Sequence, residues 1–118
     1  MSYDDNNIFA KILRGEIPCN KIYEDDYVLS FYDINPQKKI HALVIPKGRY
    51  IDLDDFNSNA SNDEIVGLMK GITTVSKKLG ISSIDGKGYR ALANISDYGG
   101  QEVPHLHFHL FGGEKVGK

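Results

Sequence analysis

Residues 99–113 read GGQEVPHLHFHLFGG, and this stretch holds three of the chain's four histidines at every second position. Successive strand residues point to opposite faces, and alternate residues recur about 6.6 Å apart along one face. His105, His107 and His109 therefore share one side of a strand spanning PHLHFHLF, while Leu106, Phe108 and Leu110 take the other and pack on a helix. The rest of the chain supplies the partners that such a strand needs. IFAKILR, capped by Asn6 or Asn7, predicts a short helix with Ile8, Phe9, Ile12 and Leu13 on one face, stopped by Gly15 and Pro18. KIYED and YVLSFYD form a hairpin around Asp25 and Asp26. IHALVIP is a third strand that Pro46 ends.

Residues 47–60, rich in Asp and Asn, read as irregular. Ser61 and Glu64 form an S-x-x-E capping box. They open a helix with apolar residues at 65, 68, 69, 72, 75 and 79, closed by Gly80. GYRALANI, residues 88–95, reads as a fourth strand ahead of the SDYGG loop. The expected fold is α+β: a five-stranded antiparallel sheet with two helices, mostly hairpin-linked, in one domain over residues 1–118.

Composition narrows the function. The chain has 118 residues, 41% hydrophobic and 25% charged, which is ordinary for a globular protein. Its net charge of -2 gives no basic field for nucleic acid or an anionic membrane. Cys19 is the single cysteine, so neither an intrachain disulfide nor a cysteine metal cluster can form. MSYDDNN lacks the apolar core of a signal peptide, and no apolar run has the length of a bilayer span. A cytoplasmic location is the resulting expectation.

A wet strand face needs polar residues, but Ser, Thr, Lys or Glu would serve, so three histidines there point to chemistry. One reading is a metal site, since histidine is a common zinc ligand. His105 and His109 stand roughly 13 Å apart at Cα, too far for all three to meet one ion. A pair completed by His41 stays open. The favoured reading is a nucleophile. Imidazole titrates near neutrality, and donating Nδ1–H to a carbonyl leaves Nε2 with a free lone pair. The central His107 is the best placed, and phosphoryl groups are suitable electrophiles. Gly99 and Gly100 beside the strand would let loop N–H groups approach a phosphate.

With HLHFHLF assembled, the chain resembles the histidine-triad (HIT) nucleotide-binding family, whose signature is His-φ-His-φ-His-φ-φ with φ apolar. IFAKILRGEIP, YEDD, FYDINPQ, HALVIPK, GYRALAN and GGQEV follow the family's purine-nucleotide phosphoramidase branch in the same order. The resemblance implies a homodimer with one continuous sheet, no cofactor, and hydrolysis of purine nucleoside phosphoramidates such as adenosine 5'-monophosphoramidate. It makes His107 the attacking group, with His109, His105 and His41 completing the catalytic set. It gives Asp33 to the ribose hydroxyls, and Ile8, Phe9, Phe31 and Leu43 to the purine. Asn94, Gly100, Gln101 and Val103 fall around the phosphate and leaving group. Within the same family, cleavage of dinucleoside polyphosphates is the rival activity. Outside it, the rivals are a non-catalytic nucleotide-binding protein and a zinc-binding one. Glu102 departs from the serine of some members, and Pro104 removes a backbone donor just before the triad.

Overall fold

The computed structural model describes residues 2–117. Its elements are α1 (Ile8–Leu13), β1 (Lys21–Glu24), β2 (Val28–Tyr32), β3 (Ile40–Pro46), α2 (Leu53–Asn59), α3 (Asn62–Lys78), β4 (Arg90–Leu92) and β5 (Phe108–Gly112). The strands form one antiparallel sheet in the order β1-β2-β3-β5-β4. No described helix is long and apolar enough to cross a membrane.

Pleating divides the sheet between two apolar clusters. Ala42 and Val44 of β3 point to one side with Leu106 and Leu110, against Phe56 of α2 and Leu68, Ile72 and Val75 of α3. Leu43 and Ile45 point to the other side with Leu29 and Phe31 of β2 and Phe9 of α1. The predicted capping box is present: Ser61 Oγ accepts from the Glu64 N–H, and the Glu64 carboxylate accepts from the Ser61 N–H. Along α3 the spaced apolar residues Leu68, Ile72 and Val75 are buried, whereas Met69 stays 47% exposed.

Three expectations need correction. There are three helices, because residues 53–59 form α2 where the sequence read as irregular. Asp52 caps it by accepting from the Asp55 N–H, and Asp54 and Asp55 lie in its first turn, where carboxylates favour the helix dipole. Phe56 is its only buried residue, with Leu53 packed against the same cluster, and seven residues are too few to show a helical period. The run of hairpin links is broken once, since α2 and α3 carry the chain from β3 to the edge strand β4 and β5 returns between the two. Both late strands are also shorter than expected: β4 keeps three residues and β5 starts at Phe108. Pro104 accounts for the second case. The chain there folds through a tight turn, His105 N–H to Val103 O at 2.9 Å, before the Leu106 N–H bonds Tyr50 O at 2.9 Å.

Leu106 is 1% exposed among the α3-side residues, between two histidines that face the other way. Leu106→Ala is expected to lower unfolding free energy by about 2–5 kcal/mol in urea titrations. A loss below about 1 kcal/mol would mean that this side is not packed as described.

Candidate functional site

Only His109 of the triad lies on a regular strand; His105 and His107 precede it in the turn-like lead-in. The alternation survives nonetheless, because Leu106 and Leu110 belong to the α3-side cluster. The three rings face the α1 side. Phe9 packs its ring edge-on against His107 at 4.9 Å and against His105 at 6.4 Å. His107 and His109 lie 5.0 Å apart. Antiparallel pairing sets Leu43 opposite His109 and His41 opposite Phe111, which brings the fourth histidine beside the third.

Backbone groups decide where the ring protons sit. A carbonyl only accepts, so His107 Nδ1–H donates to the His105 carbonyl at 2.7 Å, and Nε2 keeps its lone pair. His105 Nε2–H donates likewise to the Pro46 carbonyl at 2.9 Å, and its Nδ1 accepts from the Tyr3 hydroxyl at 2.5 Å. An amide N–H only donates. The Gln37 N–H reaches His41 Nδ1 at 3.2 Å, so the proton of neutral His41 is on Nε2, which donates to His109 Nδ1 at 2.9 Å. His109 is left with its proton on Nε2. No buried side-chain nitrogen or oxygen among the described residues lacks a partner. Nε2 of His107 and Nε2–H of His109 are therefore the unengaged ring positions, one a base and the other a donor.

Burial keeps these rings neutral. It holds His105 and His109 down to about 4, with nearby imidazoles adding to the effect. His107 and His41 are lowered for the same reason, opposed at His41 by the Asp33 carboxylate. At His107 the His105 carbonyl, Asp33 and Glu102 all pull the other way.

His107 and His109 line a hollow of about 180 Å³ with Phe9, Asp33, Leu43, Asn94, Gly100 and Val103, all anticipated, and with Gln37 and Glu102. Four anticipated residues stand behind it. His105 is fully buried, His41 is buried behind His109, and Phe31 backs Phe9 edge-on at 5.6 Å. Gln101 stitches the loop, donating to the Ile51 and Val103 carbonyls and accepting from the Ser96 N–H. Ile8 is 42% exposed and does not line the hollow. Asp33 does two things: Oδ1 caps a turn by accepting from the Asn35 N–H, while Oδ2 lies 3.5 Å from His41 Nε2.

The glycines correct another expectation. Gly100 N–H bonds the Asp97 carbonyl at 3.0 Å and is spent within the loop. A Cβ at Gly99 would meet the Ile95 carbonyl at 2.3 Å, and Gly100 has φ +77, so the pair closes a tight turn.

A larger hollow, about 800 Å³, lies between Gly80 and Val116 but contains no histidine, so size does not mark the site. Asp33, His41 and His109 bring one ligand atom each within 4.8 Å of one another. Zinc would need ligand atoms roughly 3.3 Å apart, which suits that set, but His41 Nε2 carries the proton that Gln37 imposes. The donor set does not fit a resident ion unless that contact breaks.

Tyr3 and the Gln37 amide were not read from sequence. Tyr3 is 102 residues from His105, and a backbone amide leaves no trace in residue identity. Tyr3 is itself held by the Arg49 guanidinium 5.3 Å from its ring centroid, and Arg49 pairs with Asp5 at 2.8 Å.

Residues 14–116 match the HIT domain. An uncharacterised 13.2 kDa HIT-like protein of Azospirillum brasilense is 50% identical over 116 residues, 98% of this chain and 93% of its own. The purine nucleoside phosphoramidase of Escherichia coli K12 is 40% identical over 113 residues, covering 96% and 92%. Among solved structures, a histidine triad protein from Clostridium difficile is 39% identical with TM-score 0.86, covering 100% and 98%. A HIT family hydrolase from Clostridium thermocellum is 37% identical with TM-score 0.85, covering 98% and 96%.

His105, buried and held at about 4, has a folded pKa below its unfolded value of about 6.5. Protons therefore favour the unfolded chain, and its contribution is full above pH ~6.5 and is lost as pH falls toward ~4, on the order of 3 kcal/mol. Urea unfolding at pH 7 and 4.5 should show this decline, and His105→Asn should make it shallower. An equal slope in the variant would contradict the buried neutral ring.

Proposed function

This chain belongs to the HIT domain family and is a hydrolase of that family, and from that premise we propose that it cleaves the P–N bond of purine nucleoside 5'-phosphoramidates through a nucleotidyl group carried on His107. The observation that carries the reading is the 2.7 Å contact between His107 Nδ1–H and the His105 carbonyl. It makes Nε2 an unprotonated nucleophile and also steadies the imidazolium that forms when Nε2 bonds to phosphorus.

In the first step His107 Nε2 bonds to phosphorus as the P–N bond breaks, and the departing nitrogen takes a proton from solvent. In the second, water attacks phosphorus, neutral His107 leaves, and the water's proton returns to solvent as the nucleoside monophosphate is released. His109 Nε2–H and the Asn94 side chain are donors for the phosphoryl oxygens. Asp33 Oδ2, not used in the turn, takes the ribose hydroxyls. Phe9 and Leu43 supply apolar contact for the purine, with Phe31 supporting Phe9, and Val103 lines the hollow by the phosphate and leaving group. His41 acts through His109, and His105 acts through its carbonyl.

A homodimer joined along β4 suits the architecture. β4 is an edge strand, and an unpaired edge is a natural pairing site. Beside it lies an apolar groove formed by Met69, Ile72, Ala91 and Phe108. Sizing in solution tests this, and a monomer at micromolar concentration would count against it.

The activity has a direct test. Purified protein should turn over adenosine 5'-monophosphoramidate faster than a diadenosine polyphosphate, and His107→Ala should abolish turnover while AMP still binds. Full activity in that variant would overturn the assignment. Burial lowers the His107 pKa, so the base stays unprotonated to lower pH. The kcat/KM profile should therefore stay level through pH ~6.5, the ordinary imidazole value, and fall only below it. A midpoint at or above that value would contradict the buried base.

A further inference from the structure

The formal charges that face His107 are both negative. Asp33 and Glu102 line its hollow, and no Lys or Arg does. For a site that takes a phosphate ester this is unexpected, because anion sites usually recruit cations. Asp33 is half-buried and occupied at Oδ1 by the turn it caps. Glu102 is exposed and makes no ion pair among the described residues. Its position is the rim. The hollow's 180 Å³ is below the roughly 300 Å³ at which ligand pockets begin. It suits a phosphoryl group and its immediate neighbours, and the rest of the ligand extends over the edge. The nucleoside side has Asp33, Phe9 and Leu43, so the part extending past Glu102 is the group that departs.

We propose that Glu102 selects the leaving group by charge, favouring amines that carry a further positive charge and disfavouring anionic ones, polyphosphate chains above all. This rests on the phosphoramidase reading and narrows its substrate class. The phosphoryl anion is common to every substrate, so its repulsion from Glu102 cancels when leaving groups are compared. Only the charge beyond the scissile nitrogen remains. One unit charge about 7 Å from an exposed carboxylate changes relative rates by roughly three- to tenfold at low salt. The basic hollow next to the site, with Lys38 and Arg90, is separated from His107 by His109, Gln37 and Asn94. Neither residue is among the charges that act on His107.

The test uses adenosine 5'-phosphoramidates of two amines of similar length, one ending in trimethylammonium and one in carboxylate, with wild type and Glu102→Gln. The wild type should prefer the cationic substrate. In the variant the cationic-to-anionic ratio of kcat/KM should fall three- to tenfold, and 0.5 M salt should shrink the wild-type ratio toward the variant's. Differences in intrinsic amine reactivity cancel between the two proteins. Turnover with the same ratio in both proteins, within twofold, would overturn charge selection and leave the phosphoramidase reading standing. Absence of turnover on both substrates would remove that reading and this inference with it.

Discussion

Three backbone groups set the chemistry of this molecule: the carbonyls of Pro46 and His105 and the amide of Gln37. Each can play one hydrogen-bonding role only, and each meets a ring nitrogen. Together they assign the proton on His105, His107, His41 and, through His41, His109. Hydroxyl or imidazole partners, which can both donate and accept, would leave the tautomers free to exchange. Fixed backbone partners do not, so the site holds one lone pair and one N–H in known places before any ligand arrives. That is the preorganisation on which electrostatic catalysis depends.

The fold exists to bring those backbone groups to the rings. Pairing of β3 with β5 sets His41 and Leu43 opposite Phe111 and His109. The end of β3 delivers Pro46 to His105, while the turn after β2 delivers Gln37 to His41. Burial under α1 then removes water from the rings, and neutrality follows from desolvation. The same packing that stabilises the sheet therefore keeps His107 unprotonated, which is the state its proposed role requires.

What was legible in sequence followed from side-chain pattern. The period-two alternation around Leu106 assigned the triad's side correctly, even though only His109 proved to lie on a strand. The capping box placed the start of α3. The turn that Asp33 caps uses Oδ1 and leaves Oδ2 near His41, so the ribose role proposed for Asp33 has one oxygen to draw on. Illegible were features with no pattern of their own. α2 has seven residues and only Leu53 and Phe56 are apolar, too few for periodicity to reveal it. The Tyr3 to His105 contact joins the two ends of the chain, and the Gln37 contact uses a group common to nearly all residues. The glycine pair misled for a related reason: glycine signals backbone freedom, not how that freedom is used. Here it closes a turn whose amide points inward.

The three triad histidines are consequently unequal. His105 gives its carbonyl to His107 and its ring to structure, where it seats Tyr3 and, through Arg49 and Asp5, the segment leading into α1. That segment carries Asn7, whose side chain caps the helix that presses Phe9 against His107. His107 alone has a lone pair facing the hollow. His109 presents a donor that it owes to His41. An imidazole at 105 is thus justified by two neutral hydrogen bonds at opposite ring edges, a demand few side chains of that size can meet. Alternation on the strand explains only why the rings are neighbours. The differing hydrogen-bond partners explain why one of them presents a lone pair, one an N–H, and one is engaged at both ring nitrogens.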